Sequence, residues 1–169
     1  MSSGDDPLVD RARLQEIADL DLLSGDLDAT LDDIAKRAAQ RLGLPVGLVS
    51  IVLDEAQFFA AEHGLTGVLK ETRGTPVEWS FCAHAVRTNS PFVTSDASHH
   101  PLTRDNPIVT ADGIRCYAGV PLRTSKGHVI GTLCVLGGVP RSFPEEDLAV
   151  LEELAAEVMV RIEIRRATR

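Results

Sequence analysis

The run Val46–Leu53, VGLVSIVL, is apolar at both alternating sets of positions. A strand of that kind belongs at the centre of a sheet with cover on both faces. The chain must therefore supply one layer above the strand and another below it. Asp54-Glu55-Ala56 turns the chain, and Gln57–His63 (QFFAAEH) returns as an antiparallel neighbour. Three further strands follow from the pattern: a short one at Phe92–Thr94, and a pair at Arg115–Arg123 and His128–Leu136 joined by a tight turn at Thr124–Gly127.

The helical periodicity lies mostly at the chain ends. Pro7 opens a first turn, and Leu8, Leu14, Ile17 and Ala18 give a short amphipathic helix that breaks at Ser24-Gly25. Leu27, Leu31, Ile34, Ala35, Ala38 and Leu42 share one stripe, with Asp28 as the cap and Gly43 and Pro45 as the stop. Leu148, Leu151, Ala155, Val158, Met159 and Ile162 give the core face of a last helix, with Ser142 and Glu145 matching a capping box. Between the strands, Ser80 caps a short helix from Phe81 to Thr88. Gly64–Pro76 reads as a mobile loop. Ser95–Gly113 reads as a long connection with single turns near Pro101–Arg104 and Pro107–Ala111. The class is α+β: terminal helices on one face of a mostly antiparallel sheet, loops and short helices on the other. Residues 1–6 are expected to be disordered and residues 7–169 to form a single domain.

The aromatics mark the second face. Six of the seven lie between Phe58 and Tyr117. A pocket is therefore expected between the sheet and the Val77–Gly113 segment. The net charge of −8 disfavours nucleic acid and anionic lipid as partners. No apolar run reaches membrane-spanning length, and the polar, acidic start is unlike a signal peptide. These features predict a cytoplasmic protein. Three cysteines, an odd number, argue against a disulfide framework.

Four motifs carry a family resemblance: SFCAHAV at Ser80–Val86, PFVTSDA at Pro91–Ala97, GIRCYAGVPL at Gly113–Leu122 and GTLCV at Gly131–Val135. Together they resemble the GAF domain family over nearly the whole chain. The resemblance implies a central six-stranded antiparallel sheet, a small-molecule pocket under the variable loops, and terminal helices that pair between subunits as a homodimer. It does not imply one ligand, because fold and function are separable. Ile108–Ile114 contains no His at the place of the haem ligand in haem-binding relatives. The Asn-Lys-Phe-Asp-Glu pattern of cyclic-nucleotide binders and the bilin-type Cys-His pair are missing too. The cofactor is left unknown, and no metal site is assigned to His99-His100, whose side chains diverge in extended chain.

The expected ligand-binding residues are Phe59, Trp79, Phe81, Cys82, Phe92, Asp96, Arg115 and Tyr117. Asp96 and Arg115 serve equally well as a polar rim or as a salt bridge tying the long loop to the sheet. Cys82 and Cys116 are the candidate redox thiols, and Cys134 reads as a packed cysteine in an apolar strand. Some family members reduce free methionine sulfoxide with cysteines around this pocket. Here no cysteine lies between Ser95 and Gly113, where a mobile resolving partner would sit. The leading expectation is a non-enzymatic sensory domain that binds a small ligand or partner and signals through its terminal helices. The alternatives are a thiol-based redox sensor or free methionine sulfoxide reductase, and a degenerate domain kept for dimerisation.

Overall fold

The computed structural model describes residues 6–22 and 29–167. Its six strands are β1 (Val46–Val52), β2 (Ala56–His63), β3 (Gly74–Pro76), β4 (Phe92–Thr94), β5 (Cys116–Arg123) and β6 (Val129–Gly137). They form one antiparallel sheet in the order β3-β2-β1-β6-β5-β4. The helices are α1 (Arg11–Leu20), α2 (Ala29–Leu42), α3 (Gly67–Thr72), α4 (Cys82–Thr88), α5 (Pro107–Thr110) and α6 (Glu145–Ala167).

The doubly apolar run becomes β1, between β2 and β6. Its two faces enter two separate cores. Val49 and Ile51 pack with the stripes of α1, α2 and α6. Leu48 and Val52 pack with α4, α5 and Leu65. The α2 helix comes so close to β1 that a Cβ at Gly47 would overlap the Ala35 carbonyl. Only glycine fits that crossing.

A bulge in β2 lets one strand serve both cores. Ser50 pairs with Phe59, but Val49 pairs with Ala61, leaving Ala60 as the extra residue. Phe59 therefore lies in the α4-side core and Ala61 in the helical core. Regular alternation would put both on the same face.

Two polar clamps fasten the chain ends. Arg13 is buried and donates to the carbonyls of Pro7, Leu8, Val52 and Val129. It thereby joins the start of the chain to the end of β1 and the start of β6. Glu16 is buried too, and it accepts from Thr124 Oγ1, His128 Nδ1 and Arg166 Nη1 at 2.5, 2.7 and 2.9 Å. That cluster ties α1 and α6 to the β5–β6 turn.

Several expectations need correction. Gly64–Pro76 is not a featureless loop: it holds α3 and the edge strand β3, paired to Ala56–Phe58. Three residues are too few to show a period. Pro7 starts a separate 3-10 turn over Pro7–Val9, and Asp10 caps α1 by accepting from the Ala12 N–H. Ser142 does not cap α6, which starts after Pro144 at Glu145. Of residues 1–6, expected to be disordered, Asp6 is ordered: it accepts from the Leu8 N–H and pairs with Arg87. Residues 1–5, the break at Ser24-Gly25 and the Asp28 cap lie outside the described residues. Among the described residues no helix is long and apolar enough to cross a membrane.

Candidate functional site

A cavity of about 290 Å³ opens on the sheet face opposite the terminal helices. Its floor is built from alternate residues of four strands: Val46 and Leu48 of β1, Gln57 and Phe59 of β2, Tyr117 of β5, and Cys134 and Leu136 of β6. The segment Gly64–Leu69 and the start of α4 form its sides, and Ile108, Asp112 and Ile114 complete the rim. The lining is mostly apolar with a few fixed polar groups, the usual makeup of a small-molecule site.

The floor carries a closed hydrogen-bond network. Gln57 Oε1 accepts from Ser50 Oγ at 2.9 Å and from Ser80 Oγ at 2.7 Å. Gln57 Nε2 donates to Thr75 Oγ1 at 2.9 Å. Ser80 Oγ also accepts from the Ala83 N–H, so its predicted capping role holds although the first helical residue is Cys82. One glutamine thus links β1, β2, β3 and α4. In a buried setting, partners that satisfy one another in this way hold a wall rigid.

The deep end is made by sulfur. Cys82 Sγ and Cys134 Sγ lie 4.0 Å apart, and Tyr117 Oη donates to Cys82 Sγ at 3.1 Å. Burial opposes a charge on Cys82, but hydrogen bonding, led by Cys134 and including Tyr117, outweighs it and lowers the thiol. The same hydrogen bond to Cys82, reinforced by burial, pushes the Cys134 thiol well up. Burial, and then the neighbouring sulfurs, raise Tyr117 as well, so its hydroxyl stays a donor. Thr132 Oγ1 is buried without a hydrogen bond of good geometry. Tyr117 lies flat along β5 over Gly119, where a Cβ would overlap the phenol.

Phe59, Phe81, Cys82 and Tyr117 come together on the cavity wall as expected. The other four expected residues do not line it. Phe92 sits behind the wall, with ring centroids 6.3 Å from Phe81, 5.9 Å from Tyr117 and 4.8 Å from His84. Trp79 ends a 3-10 turn and is 37% exposed. Asp96 accepts from the Ser98 N–H and hydroxyl, and His99 Nδ1 lies 3.1 Å away. These contacts, led by the Ser98 hydroxyl, hold its carboxyl below the ordinary range. Arg115 donates to the carbonyls of Val109 and Ile114, closing the end of α5. Among the described residues no ion pair joins Asp96 and Arg115. The long loop is tied to the sheet by backbone instead, the Ala97 N–H donating to the Arg115 carbonyl.

Cys116 neighbours Tyr117 in β5 and so faces the other way. It is buried and packs beside Gly137, and burial pushes its thiol up. His100 Nδ1 accepts from the Leu102 N–H, so the histidine pair belongs to turns in the loop.

Sequence reasoning missed Cys134, Gln57 and the α3 side of the cavity. A signal for the network was present. Ser50 is the one hydroxyl in an otherwise apolar strand, and Gln57 reaches it diagonally from the neighbouring strand, where Gln57 itself pairs with Val52.

Comparison with known proteins agrees with this architecture. A cyclic di-GMP phosphodiesterase of Pseudomonas aeruginosa is 37% identical over 164 residues, which is 96% of this chain. The chain spans only 27% of that relative. The GAF domain of a phosphoenolpyruvate-protein phosphotransferase from Coxiella burnetii superposes with a TM-score of 0.70 at 19% identity, covering 99% of this chain and 98% of that one. A free methionine-R-sulfoxide reductase from Neisseria meningitidis gives a TM-score of 0.68 at 22% identity, covering 100% and 97%. The sequence pattern of the GAF domain matches residues 24–163. With the six-stranded sheet, the helices of both chain ends on one face and the cavity on the other, the chain belongs to the GAF domain family.

Proposed function

We propose that this domain is a non-catalytic sensory module that binds one small, largely apolar molecule in the cavity above β1 and β6. The observation that carries the reading is the cavity itself. It is about 290 Å³ in volume, walled by Leu48, Phe59, Phe81 and Leu136, with polar groups at its deep end and Asp112 at its rim. Occupancy reaches the opposite face through β5 and β6. Tyr117 and Cys134 touch the cavity, while their neighbours Ala118 and Val135 pack in the core that holds α6. The phosphodiesterase activity in the relative's name is not carried over, because the match covers about a quarter of that protein.

Native mass spectrometry of freshly purified protein tests the reading. A small molecule that copurifies with wild type, and is lost from a folded Leu48→Trp variant with a filled cavity, supports it. A bare chain mass, with no thermal shift across a panel of small metabolites, overturns it.

A second reading, reduction of free methionine sulfoxide, has Cys82 on the cavity wall in its favour. It predicts turnover with a thiol reductant that disappears when Cys82 is replaced. The absence of any cysteine between Ser95 and Gly113 counts against it.

Association through the terminal helices remains part of the proposal, with a change of residues. Leu154 is buried in the helical core, whereas Val160 and Ile164 of α6 are 54% and 52% exposed. Val160 borders a shallow groove of about 470 Å³ between α6 and the β5–β6 turn. In the proposed homodimer a second copy of the chain covers this side.

A further inference from the structure

We propose that Cys82 and Cys134 form a thiol-oxidation site, in which a small peroxide entering the cavity converts the two thiols into a reversible disulfide. The two sulfurs are already in van der Waals contact at 4.0 Å. A disulfide needs about 2.05 Å, so the two sulfurs must close by about 2 Å to bond. Both sulfurs are buried from bulk solvent, yet both line the cavity. Its volume exceeds that of a peroxide molecule many times over. A small oxidant reaches them through the cavity, and a bulky disulfide such as oxidised glutathione does not.

The surroundings assign the roles. Tyr117 Oη donates to Cys82 Sγ at 3.1 Å and stabilises negative charge on that sulfur. Thiolate character makes a cysteine the nucleophile. The Cys82 thiolate attacks one peroxide oxygen, forming an S–O bond and breaking the O–O bond. The departing hydroxide takes a proton and becomes water. Cys82 is now a sulfenic acid, oxidised by two electrons. The Cys134 sulfur then attacks the Cys82 sulfur, forming S–S and breaking S–O. The leaving hydroxide takes the Cys134 proton as a second water. A partner in contact resolves the sulfenic acid before it can oxidise further. Cys116, buried on the opposite face of β5, has neither a thiol neighbour among the described residues nor access from the cavity. It is an internal control.

The step needs no ligand, so it stands or falls apart from the sensory reading. The test uses the reduced wild-type chain, treated with hydrogen peroxide, alkylated and mapped by mass spectrometry. The expected result is a mass loss of two hydrogen atoms and one Cys82–Cys134 cross-linked peptide, reversed by dithiothreitol. Cys82 and Cys134 should lose alkylation together, roughly tenfold or more faster than Cys116 is oxidised. In a Cys134→Ala variant, dimedone should capture a sulfenic acid at Cys82. If that variant fails to fold, the wild-type map decides alone. Oxidation of Cys116 first, a bridge between chains, or a Cys82–Cys134 bond that forms only after denaturation overturns the proposal.

Discussion

Glu16 Oε2 accepts from Arg166 Nη1 at 2.9 Å, joining two helices whose contact residues stand 150 positions apart in sequence. Burial works against the Glu16 charge, but the Thr124, Arg166 and His128 contacts outweigh it and hold the carboxyl below its usual 4.5. A carboxyl depressed in the folded state stabilises the fold above its unfolded-state value, and that contribution is lost as pH falls through the folded one. The expected outcome is a Tm that declines as pH drops below about 4.5 and α6 that loosens with it. Glu16→Gln should cost about 2 kcal/mol at neutral pH, because Thr124, His128 and Arg166 lose a buried ionised acceptor while Arg166 keeps Glu163. It should also flatten the acid limb. Urea unfolding of both proteins, at neutral pH and below the carboxylate range, measures the two effects.

Gln57→Leu should destabilise by about 2–4 kcal/mol, more than its volume change explains. It leaves the Ser50 and Ser80 hydroxyls without their acceptor and Thr75 without its donor, in a buried setting. The α4 start should loosen at the same time. Faster hydrogen exchange at the Ala83 N–H, with distant α2 amides unchanged, is the signature. Equal acceleration throughout the domain would mean a purely global effect.

Gly119→Ala inserts a methyl group into the Tyr117 phenol. The ring must shift, at a cost of about 1–3 kcal/mol. Its hydroxyl then leaves Cys82 Sγ. Alkylation of Cys82 by a small reagent in the folded protein should change rate, while alkylation of Cys116 should not. An unaltered Cys82 rate in a folded variant would separate the two side chains functionally.

Two substitutions on α6 distinguish packing from association. Leu154 is only 3% exposed, so Leu154→Glu buries a carboxylate without a partner and should unfold the domain. Val160→Glu keeps the core and should convert a dimer to a monomer in light scattering at micromolar concentration. A monomeric wild type would remove the dimer from the reading.

The fold was legible where periodicity ran long. The apolar run at Val46–Leu53, the α2 stripe and the paired strands near the end each exceed six residues and face one way or two. The edge strand Gly74–Pro76 was not, because three residues held by partners on Ala56–Phe58 show no local pattern. For the site, the aromatic cluster pointed to the right face, and half of its expected residues line the cavity. Phe92 stands one layer behind, since an aromatic in a short strand shows apolarity but not depth. Asp96 and Arg115 stand out in sequence by their charges, yet both are occupied by nearby hydroxyl, amide and carbonyl groups. The Cys82–Cys134 contact joins residues 52 positions apart. Single-sequence spacing carries no trace of it.

The extra residue at Ala60 makes β2 a strand with a change of reading frame. Before it, odd-numbered side chains such as Gln57 and Phe59 address the cavity; after it, odd-numbered Ala61 addresses the helices. The kink of the bulge, and not the chemistry of Ala60, carries that change. Deleting Ala60 makes Phe59 and Ala61 neighbours, and plain alternation then keeps Phe59 on the cavity and Ala61 on the helices. Straightening the strand with Ala60 in place is what would fail: either Phe59 leaves the cavity wall or Ala61 and Glu62 exchange places against α2. The domain should therefore tolerate loss of this residue better than loss of the kink that holds it.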